Sequence, residues 1–217
     1  MTNGKKVLIV SWSFYPDHAM GAHRAGKLCK YLPLYEWQPM VLTVKEKYYQ
    51  VTDPSLLTQL PSDIRIKRTS CFSESGVRTG VKKILCLLSR LRGKEVANLS
   101  EITFKSKMAR KLWLEIPEAG WWLFAAVRSG VKMARGCDVV WATSPVAGNL
   151  VVAAIIARLS GKPLVIDLRD PWRIEGGNLY PTPIHNFVDL LFEKRVFKSA
   201  DAIIAVTPRI AEMYLSK

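Results

Sequence analysis

The chain has 217 residues, enough for one large or two small domains, and its 49% hydrophobic and 23% charged content is ordinary for a folded protein. The longest apolar run, Leu150–Ala157, is too short to span a bilayer, and the amino terminus lacks a signal-peptide core, so we expect neither a membrane-spanning nor a secreted protein. The net charge of +14 is concentrated between Arg65 and Arg135, where 16 Lys and Arg accompany 5 Glu, and this predicts an anionic partner such as nucleic acid or a membrane surface.

A β–loop–α–β unit is predicted at the start of the chain. Lys5–Val10 reads as a strand, and a long polar loop follows over Ser11–His23. A helix is predicted over Arg24–Leu32, and Trp37–Val44 supplies the turn and second strand. This order is typical of a doubly wound α/β fold, which is the fold class we predict, with a mostly parallel, Rossmann-like sheet.

Within this unit, Gly21–Leu28 nearly matches the phosphate-binding motif G-x-x-x-x-G-K-[ST]. Leu28 replaces the hydroxyl residue that would hold Mg²⁺, and Gly21 lies about ten residues beyond the strand rather than at its end, so we interpret the match as coincidence. Gly21 and Arg24 still favour an anion at the amino terminus of the following helix, where backbone N–H groups are free. A glycine that only eases a turn is the alternative.

The basic middle of the chain is predicted to be helical over about residues 78–135. Ile64–Arg68 precedes it as an edge strand, and Gly80–Gly93 has the pattern of an amphipathic basic helix. Such a helix either lies in a membrane interface or packs in the domain with its cations solvated. The residues that would contact lipid are four cations on its polar side: Lys82, Lys83, Arg90 and Arg92.

The second half of the chain reads as alternating helices and strands. Helices are predicted over 120–135, over 146–159 as a segment buried on all sides, and over 189–198. Trp121 and Trp122 of the first of these helices are expected in the core, and a sugar platform or an interface anchor is the alternative. Strands are predicted over 137–143, over 163–168 as a strand buried on both faces, and over 201–206 as a last buried strand. Thr207 and Pro208 are expected to begin a final helix as cap and first residue.

Three charged residues, Asp167, Arg169 and Asp170, follow the apolar run Pro163–Ile166 at the end of the strand predicted over 163–168. Open α/β sheets bind ligands at the carboxyl ends of their strands, so this cluster is a candidate site. An Arg–Asp pair that fastens a loop to the next helix is the alternative. The residues after the preceding strand, Thr143–Pro145, are expected to lie close to Arg169–Trp172 on the same edge.

Four stretches together resemble the amino-terminal domain of a family 4 glycosyltransferase, of the retaining GT-B class. They are Phe14–Thr43, Cys137–Pro145, Pro163–Trp172 with its Asp-Leu-Arg-Asp-Pro-Trp string, and Glu193–Thr207. The resemblance implies transfer of a sugar from a nucleotide-sugar to a glycan or lipid-linked acceptor in cell-surface polysaccharide synthesis. It also implies one domain over 1–217 that binds mainly the acceptor.

The resemblance also implies roles for particular residues. The loop after the first strand would face the donor phosphates, which places Gly21, Ala22 and Arg24 there. The acceptor side would be lined by Ser144, Arg169, Asp170 and Trp172. The catalytic residue is unknown, because the histidine common in relatives has no counterpart in this region. Neither a metal nor a cofactor is expected, and the four dispersed cysteines are expected to be reduced, mostly buried thiols of a cytosolic protein.

The donor-binding carboxyl-terminal domain of such enzymes carries two glutamates eight positions apart, and no two Glu of this sequence have that spacing. We therefore expect that domain to be absent and this chain alone to be inactive. The basic segment would fit a cytoplasmic protein on the inner face of the membrane. The alternative is a basic module that binds nucleic acid, or a non-catalytic carbohydrate-binding domain. Binding of single-stranded nucleic acid needs exposed aromatic side chains among the cations. Trp113, Trp121 and Trp122 lie in apolar helical contexts, so no nucleic-acid partner is expected.

Overall fold

The computed structural model describes residues 4–71, 122–144, 146–172 and 183–215. In this part of the chain, six strands form a single parallel sheet with the order β3-β2-β1-β4-β5-β6. The strands are β1 Lys5–Val10, β2 Trp37–Val44, β3 Arg65–Thr69, β4 Val139–Thr143, β5 Leu164–Leu168 and β6 Ala202–Ala205. The helices are α1 Met20–Tyr31, α2 Leu123–Ala134, α3 Ala147–Ser160, α4 Pro183–Lys198 and α5 Pro208–Leu215.

The strand order confirms the predicted doubly wound fold. From β1 the chain first builds outward to β2 and β3, and then returns to place β4, β5 and β6 on the other side. The two directions meet between β1 and β4, where Ile9 pairs with Trp141. At such a switch point the loops leave the sheet in opposite directions and open a crevice at the carboxyl ends of the strands.

Helices cover both faces of the sheet because alternate strand residues point to opposite sides. Leu8 and Val10 pack in one core with residues of α2, α3, α4 and α5, whereas Val7 and Ile9 pack in a second core with α1. Trp122 belongs to the first core, as predicted: it is fully buried, and its indole Nε1 donates to Thr69 Oγ1 at 2.5 Å.

The first helix begins four residues earlier than predicted, at Met20 rather than Arg24. Ala22, Ala25 and Cys29 are fully buried and recur at helical spacing, so the buried face of α1 starts before the larger apolar residues do. The Asp17 carboxylate accepts the N–H of Ala19 at 3.1 Å and stabilises the turn that precedes the helix. Gly21 therefore lies in the first turn of α1, not in a loop before it.

The prediction that the last strand is buried was wrong. Ile203 and Ile204 of β6 are 43% and 45% exposed. The strand is at the edge of the sheet and pairs only with β5, and α1 lies over the central strands rather than over β6. The predicted edge strand at the other end is confirmed as β3, and α4 begins at Pro183, six residues before its predicted start.

The predicted helix Gly80–Gly93, with Lys82, Lys83, Arg90 and Arg92, lies outside the described residues. Its membrane contact stays a prediction. In the part of the chain that the structure describes, none of the helices is both long and apolar enough to cross a bilayer. Cys29 and Cys137 are buried and Cys71 is half-buried, each as a thiol rather than as part of a disulfide, so the prediction of reduced, mostly buried thiols is confirmed for these three.

Candidate functional site at the carboxyl edge of the sheet

A buried ion pair joins the first helix to the end of β5. The carboxylate of Asp167 is fully buried and receives the guanidinium of Arg24 in a two-point contact, from Nε to Oδ2 and from Nη2 to Oδ1, the second at 2.5 Å. Thr143 Oγ1 donates to the same carboxylate at 2.9 Å. The hydrogen bond to Asp167 raises the pKa of Arg24 although its partial burial lowers it, so the cation persists at any ordinary pH.

This pair settles how Asp167 is used in the fold. The sequence predicts either a ligand site or an Arg–Asp pair that fastens the loop to the next helix, and the partner of Asp167 is instead Arg24, far away in sequence. Strand β4 lies between β1 and β5, so α1 must reach over β4 to make the contact. The sequence contained both residues as candidates, but their pairing follows only from the strand order.

Ser144 joins the ends of β4 and β5. Its Oγ accepts the backbone N–H of Arg169 at 3.1 Å and of Asp170 at 3.3 Å, and donates to the carbonyl oxygen of Asp170 at 3.0 Å. The two strand ends are therefore adjacent, as the βαβ pattern predicted. Ser144 is 2% exposed. Its hydroxyl orients the loop that carries Arg169 rather than offering a free group to a ligand.

Arg169 lies at the amino terminus of α1. Its Nη1 donates to the carbonyl oxygen of Met20 at 3.1 Å, and a side-chain carbon placed on Gly21 would lie 4.0 Å from the same nitrogen. The structure thus brings Gly21, Arg24 and Arg169 together. Ala22 differs, because its N–H donates to the carbonyl oxygen of Ala19 at 2.9 Å and its side chain is fully buried. Contact of these residues with donor phosphates stays a prediction.

Trp172 is part of a network that holds the loop after β5. Its backbone N–H donates to the hydroxyl of Tyr214 at 2.8 Å, and its indole Nε1 donates to Asp189 Oδ1 at 3.0 Å. Phe197 stacks on Tyr214 with ring centroids 4.3 Å apart. Burial raises the pKa of Tyr214 to about 12. Trp172 is half-buried and positions this loop against α4 and α5, while Asp170 is exposed beside it.

A cleft of about 590 Å³ opens beside these residues, between α1 and β6. Its apolar lining includes Trp141, Leu28, Ile204 and Val206, and its cations are Arg24, Lys27 and Arg169. This size is in the usual range for small-molecule sites, about 300–1,000 Å³. The sequence did not indicate Trp141, Lys27 and Ile204 as site residues. The cleft forms beside β6 because that strand is at the edge of the sheet, and the position of a strand in the sheet cannot be read from its own sequence.

His23 also lines the cleft, and its Nδ1 lies 3.3 Å from the hydroxyl of Tyr15. Its ring packs edge-on against the ring of His18, with centroids 5.7 Å apart. Among the described residues, no group of three or more His, Cys, Asp or Glu is arranged to hold a metal ion. The expectation that no metal is involved stays a prediction.

Comparison with known proteins places this arrangement in a family. The model of the glycosyl transferase 4-like domain matches residues 99–216. Anabaena HepE (Alr3699), solved with UDP and glucose, is 16% identical and aligns over 98% of this chain with a TM-score of 0.50. Apo UGT2 of Phytolacca americana is 12% identical over 94% of this chain with a TM-score of 0.53.

At these identities the two structures show a common fold, the GT-B glycosyltransferase fold, and no more. The chain corresponds to 41% of the HepE chain and 46% of the UGT2 chain. No curated protein matches the sequence significantly. The family model, however, matches more than half of the sequence, including β4, α3, β5 and β6, and the chain therefore belongs to the glycosyl transferase 4-like domain family.

Proposed function

We propose that this chain is the acceptor-binding half of a retaining glycosyltransferase. It would act in the transfer of a sugar, of hexose type, from a nucleotide-sugar to a glycan or lipid-linked acceptor in cell-surface polysaccharide synthesis. Family membership supports glycosyl transfer. The observation that carries the acceptor assignment is the cleft between α1 and β6, because its apolar lining and the Lys27 ammonium suit an acceptor with an apolar body and a polar or anionic head.

The cations at the carboxyl edge would act on the leaving diphosphate. Arg169 is held at the start of α1, and the first N–H groups of a helix lack partners within the helix. A phosphate there would meet the helix terminus and a guanidinium at once, and both stabilise negative charge as it develops. The Asp167 carboxylate holds Arg24 beside this point, so the charge can be met without movement of the side chain. The proposal includes neither a metal nor a cofactor.

The donor would be held mainly by a further domain. HepE was solved with UDP and glucose, and this chain corresponds to less than half of that protein. We extend nucleotide-sugar binding to the present protein as part of the proposal, with the donor sugar left open. On this basis the 217-residue chain alone should not transfer sugar, and the complete protein would work in the cytoplasm at the inner face of the membrane.

Product analysis tests the proposal. The natural protein that contains this chain is incubated with UDP- and GDP-sugars and a lipid extract, and the product is examined by proton NMR for the configuration at the anomeric carbon. We expect a glycoside with the same configuration as the donor. An inverted product would overturn the retaining assignment, and no turnover of any nucleotide-sugar would overturn the glycosyltransferase assignment itself.

A further inference from the structure

We propose that the acceptor carries a negative charge and that Lys27 of α1 is the residue that selects it. This inference rests on the proposed function, because it concerns the same cleft, and it adds the charge class of the acceptor and the residue that recognises it. The anion would be the carboxylate of an acidic sugar or the phosphate of a lipid carrier. Both are oxyanions that an ammonium group binds.

Three hydrogen-bonding side chains of α1 line the cleft in one row. They are His23, Lys27 and Tyr31, and we call them the donor row. Residues four positions apart on a helix are neighbours on the same face, with Cβ atoms about 5–6 Å apart. The three side chains therefore follow one another along the same wall of the cleft, with Lys27 between the imidazole and the phenol.

Among the described residues that line the cleft, the one acidic side chain is already neutralised. Asp167 is fully buried, and its carboxylate accepts two hydrogen bonds from Arg24. The same contacts occupy Arg24, and Arg169 donates to the carbonyl oxygen of Met20. In the part of the chain that the structure describes, Lys27 has no ion-pair partner. The cleft therefore contains an ammonium group that no described carboxylate balances.

The neighbours of Lys27 on the helix raise the positive potential further. Arg24 and Lys30 are three positions before and after it, and like charges at such a spacing destabilise a helix. Helix α1 contains no Asp or Glu that would offset them. Lys30 is not part of the cleft, and its ammonium lies 5.6 Å from the ring centroid of Tyr31. A cation kept at an unfavourable position beside a cleft indicates an anionic ligand, because a bound anion offsets the repulsion.

The apolar surroundings of the donor row strengthen a charge interaction there. Trp141 is 6% exposed on the β4 side of the cleft, and Ile204 and Val206 are 45% and 50% exposed on the β6 side. The attraction between opposite charges increases as the polarity of their surroundings falls. An acceptor that covers these side chains removes water from Lys27 as well. A neutral acceptor would leave the ammonium desolvated and unpaired, so the same group that favours an anion discriminates against a neutral molecule.

The imidazole of His23 is held where it supports Lys27. Its Nδ1 lies 3.3 Å from the hydroxyl of Tyr15, which is 1% exposed, and its ring packs edge-on against the rings of Tyr15 and His18. No described residue hydrogen-bonds to Nε2, the other ring nitrogen. When the Tyr15 hydroxyl donates to Nδ1, the ring proton is on Nε2. An anion bound by Lys27 then meets a second donor whose orientation is set before binding.

Lys27 lies at a distance from the point proposed for the leaving diphosphate. It is six residues beyond Gly21, which corresponds to about 9 Å along the axis of α1. The charge of the acceptor would therefore be on a group other than the one that reacts. An acidic sugar next to the reacting one and the phosphate of a lipid carrier both meet this condition.

Binding of matched amphiphiles to the full chain tests the inference. Octyl glucuronide and octyl glucoside share a tail and a ring and differ in the carboxylate, and farnesyl phosphate and farnesol differ in the phosphate. Affinities are measured by isothermal titration calorimetry below the micelle concentration. We expect the original chain to prefer the anionic member of at least one pair by about tenfold or more. A preference in the first pair assigns the anion to an acidic sugar, and one in the second pair assigns it to a lipid carrier.

Variants of α1 show whether Lys27 is responsible for the preference. Lys27→Met keeps the apolar stem of the side chain and removes the charge, so it should abolish the preference, whereas Lys27→Arg should keep it. Lys30→Met removes a charge of the same helix outside the cleft and should bind all four amphiphiles as the original chain does. Lys27 is exposed, so its variants should unfold at nearly the same urea concentration as the original chain.

Three results would overturn the inference: no preference for the anionic member of either pair, a preference that Lys27→Met retains, or an equal loss in Lys30→Met. If none of the four amphiphiles bound, the acceptor assignment of the cleft would be wrong as well. Turnover of a nucleotide-sugar by the natural protein is measured without these amphiphiles. Failure of the inference is therefore distinguishable from failure of the proposed glycosyltransferase activity.

Discussion

Arg24 and Asp167 are 143 positions apart in the chain and make a two-point contact at the carboxyl edge. Asp167 is fully buried, and a buried carboxylate is tolerated only when a cation and hydrogen-bond donors satisfy it. Arg24 and Thr143 supply these groups. The contact therefore determines where α1 lies on the sheet, and with it the position of the cleft.

Removal of one partner should be costly. Arg24→Met leaves the Asp167 carboxylate buried without its cation, and we expect the free energy of unfolding to fall by about 2–4 kcal/mol in urea denaturation, a value reduced because Arg24 is 38% exposed. The double variant R24M/D167N should recover part of this loss, because an amide in place of the carboxylate needs no cation. If the double variant were as unstable as Arg24→Met, the unpaired Asp167 carboxylate would not be the cause of the loss of stability. Lys27→Met on the same helix is the control.

Substitution by alanine should change the stability of the fold in opposite directions at two glycines of α1. A Cβ on Gly26 would overlap the ring of Tyr15, which is 1% exposed and cannot move aside, so Gly26→Ala should destabilise the fold by about 1–3 kcal/mol or more. A Cβ on Gly21 would meet no atom closer than 3.8 Å, and Gly21→Ala should stabilise the helix by about 0.5–1 kcal/mol.

Thermal unfolding of both variants checks this pair of predictions. A loss of stability with Gly21→Ala would mean that the first turn of α1 is strained in a way the structure does not show. Gly21 and Gly26 are the glycines of the near-match to a phosphate-binding loop. Both glycines lie within α1 rather than in a loop, and Gly26 packs against Tyr15. The interpretation of the motif as coincidence is therefore confirmed.

At the scale of elements, the predictable strands are those with apolar residues on both faces. β1, β4 and β5 each contain a run of three or four apolar residues, because helices cover both sides of the central sheet. β6 has the same kind of sequence and is nevertheless exposed, since strand order, not composition, places it at the edge. The start of α1 was predicted too late for a different reason. Its first buried residue is Ala22, and a small side chain adds little to a hydrophobic pattern.

The loop after β5 depends on α5 through Tyr214, and this contact should be visible in the pH dependence of stability. The raised pKa of Tyr214, about 12, means that the folded state keeps the phenol proton that the unfolded state releases near pH 10. This contribution to stability is complete below about pH 10 and is lost as pH rises towards 12. Other buried tyrosines and thiols titrate in the same direction, so the test compares two proteins.

Tyr214→Phe should lower stability at pH 7 by about 1 kcal/mol, because the N–H of Trp172 loses its acceptor. The same variant should lose less stability than the original chain between pH 9 and pH 11, as followed by urea denaturation at each pH. Phe at this position keeps the packing on Phe197. If the two proteins lost stability in parallel over this range, Tyr214 would not be the titrating group.

At the scale of the whole molecule, the switch point between β1 and β4 brings the separate parts of the site together. It places the start of α1, the end of β5 and the open face of β6 around one cleft. The fold class and the adjacency of Ser144 with Arg169 could be predicted from the βαβ pattern. The cleft and the Arg24–Asp167 contact could not, because both depend on which strands are neighbours across the sheet.

The central claim is that the cationic carboxyl edge acts on a nucleotide-sugar, and Arg169 tests it most directly. The measurement is kcat/KM for nucleotide-sugar turnover by the natural protein that contains this chain, with Arg169→Ala compared with Lys30→Ala. We predict a loss of roughly tenfold or more for Arg169→Ala, with the urea midpoint nearly unchanged, and no loss for Lys30→Ala. Equal turnover by both variants and the original protein would contradict the account.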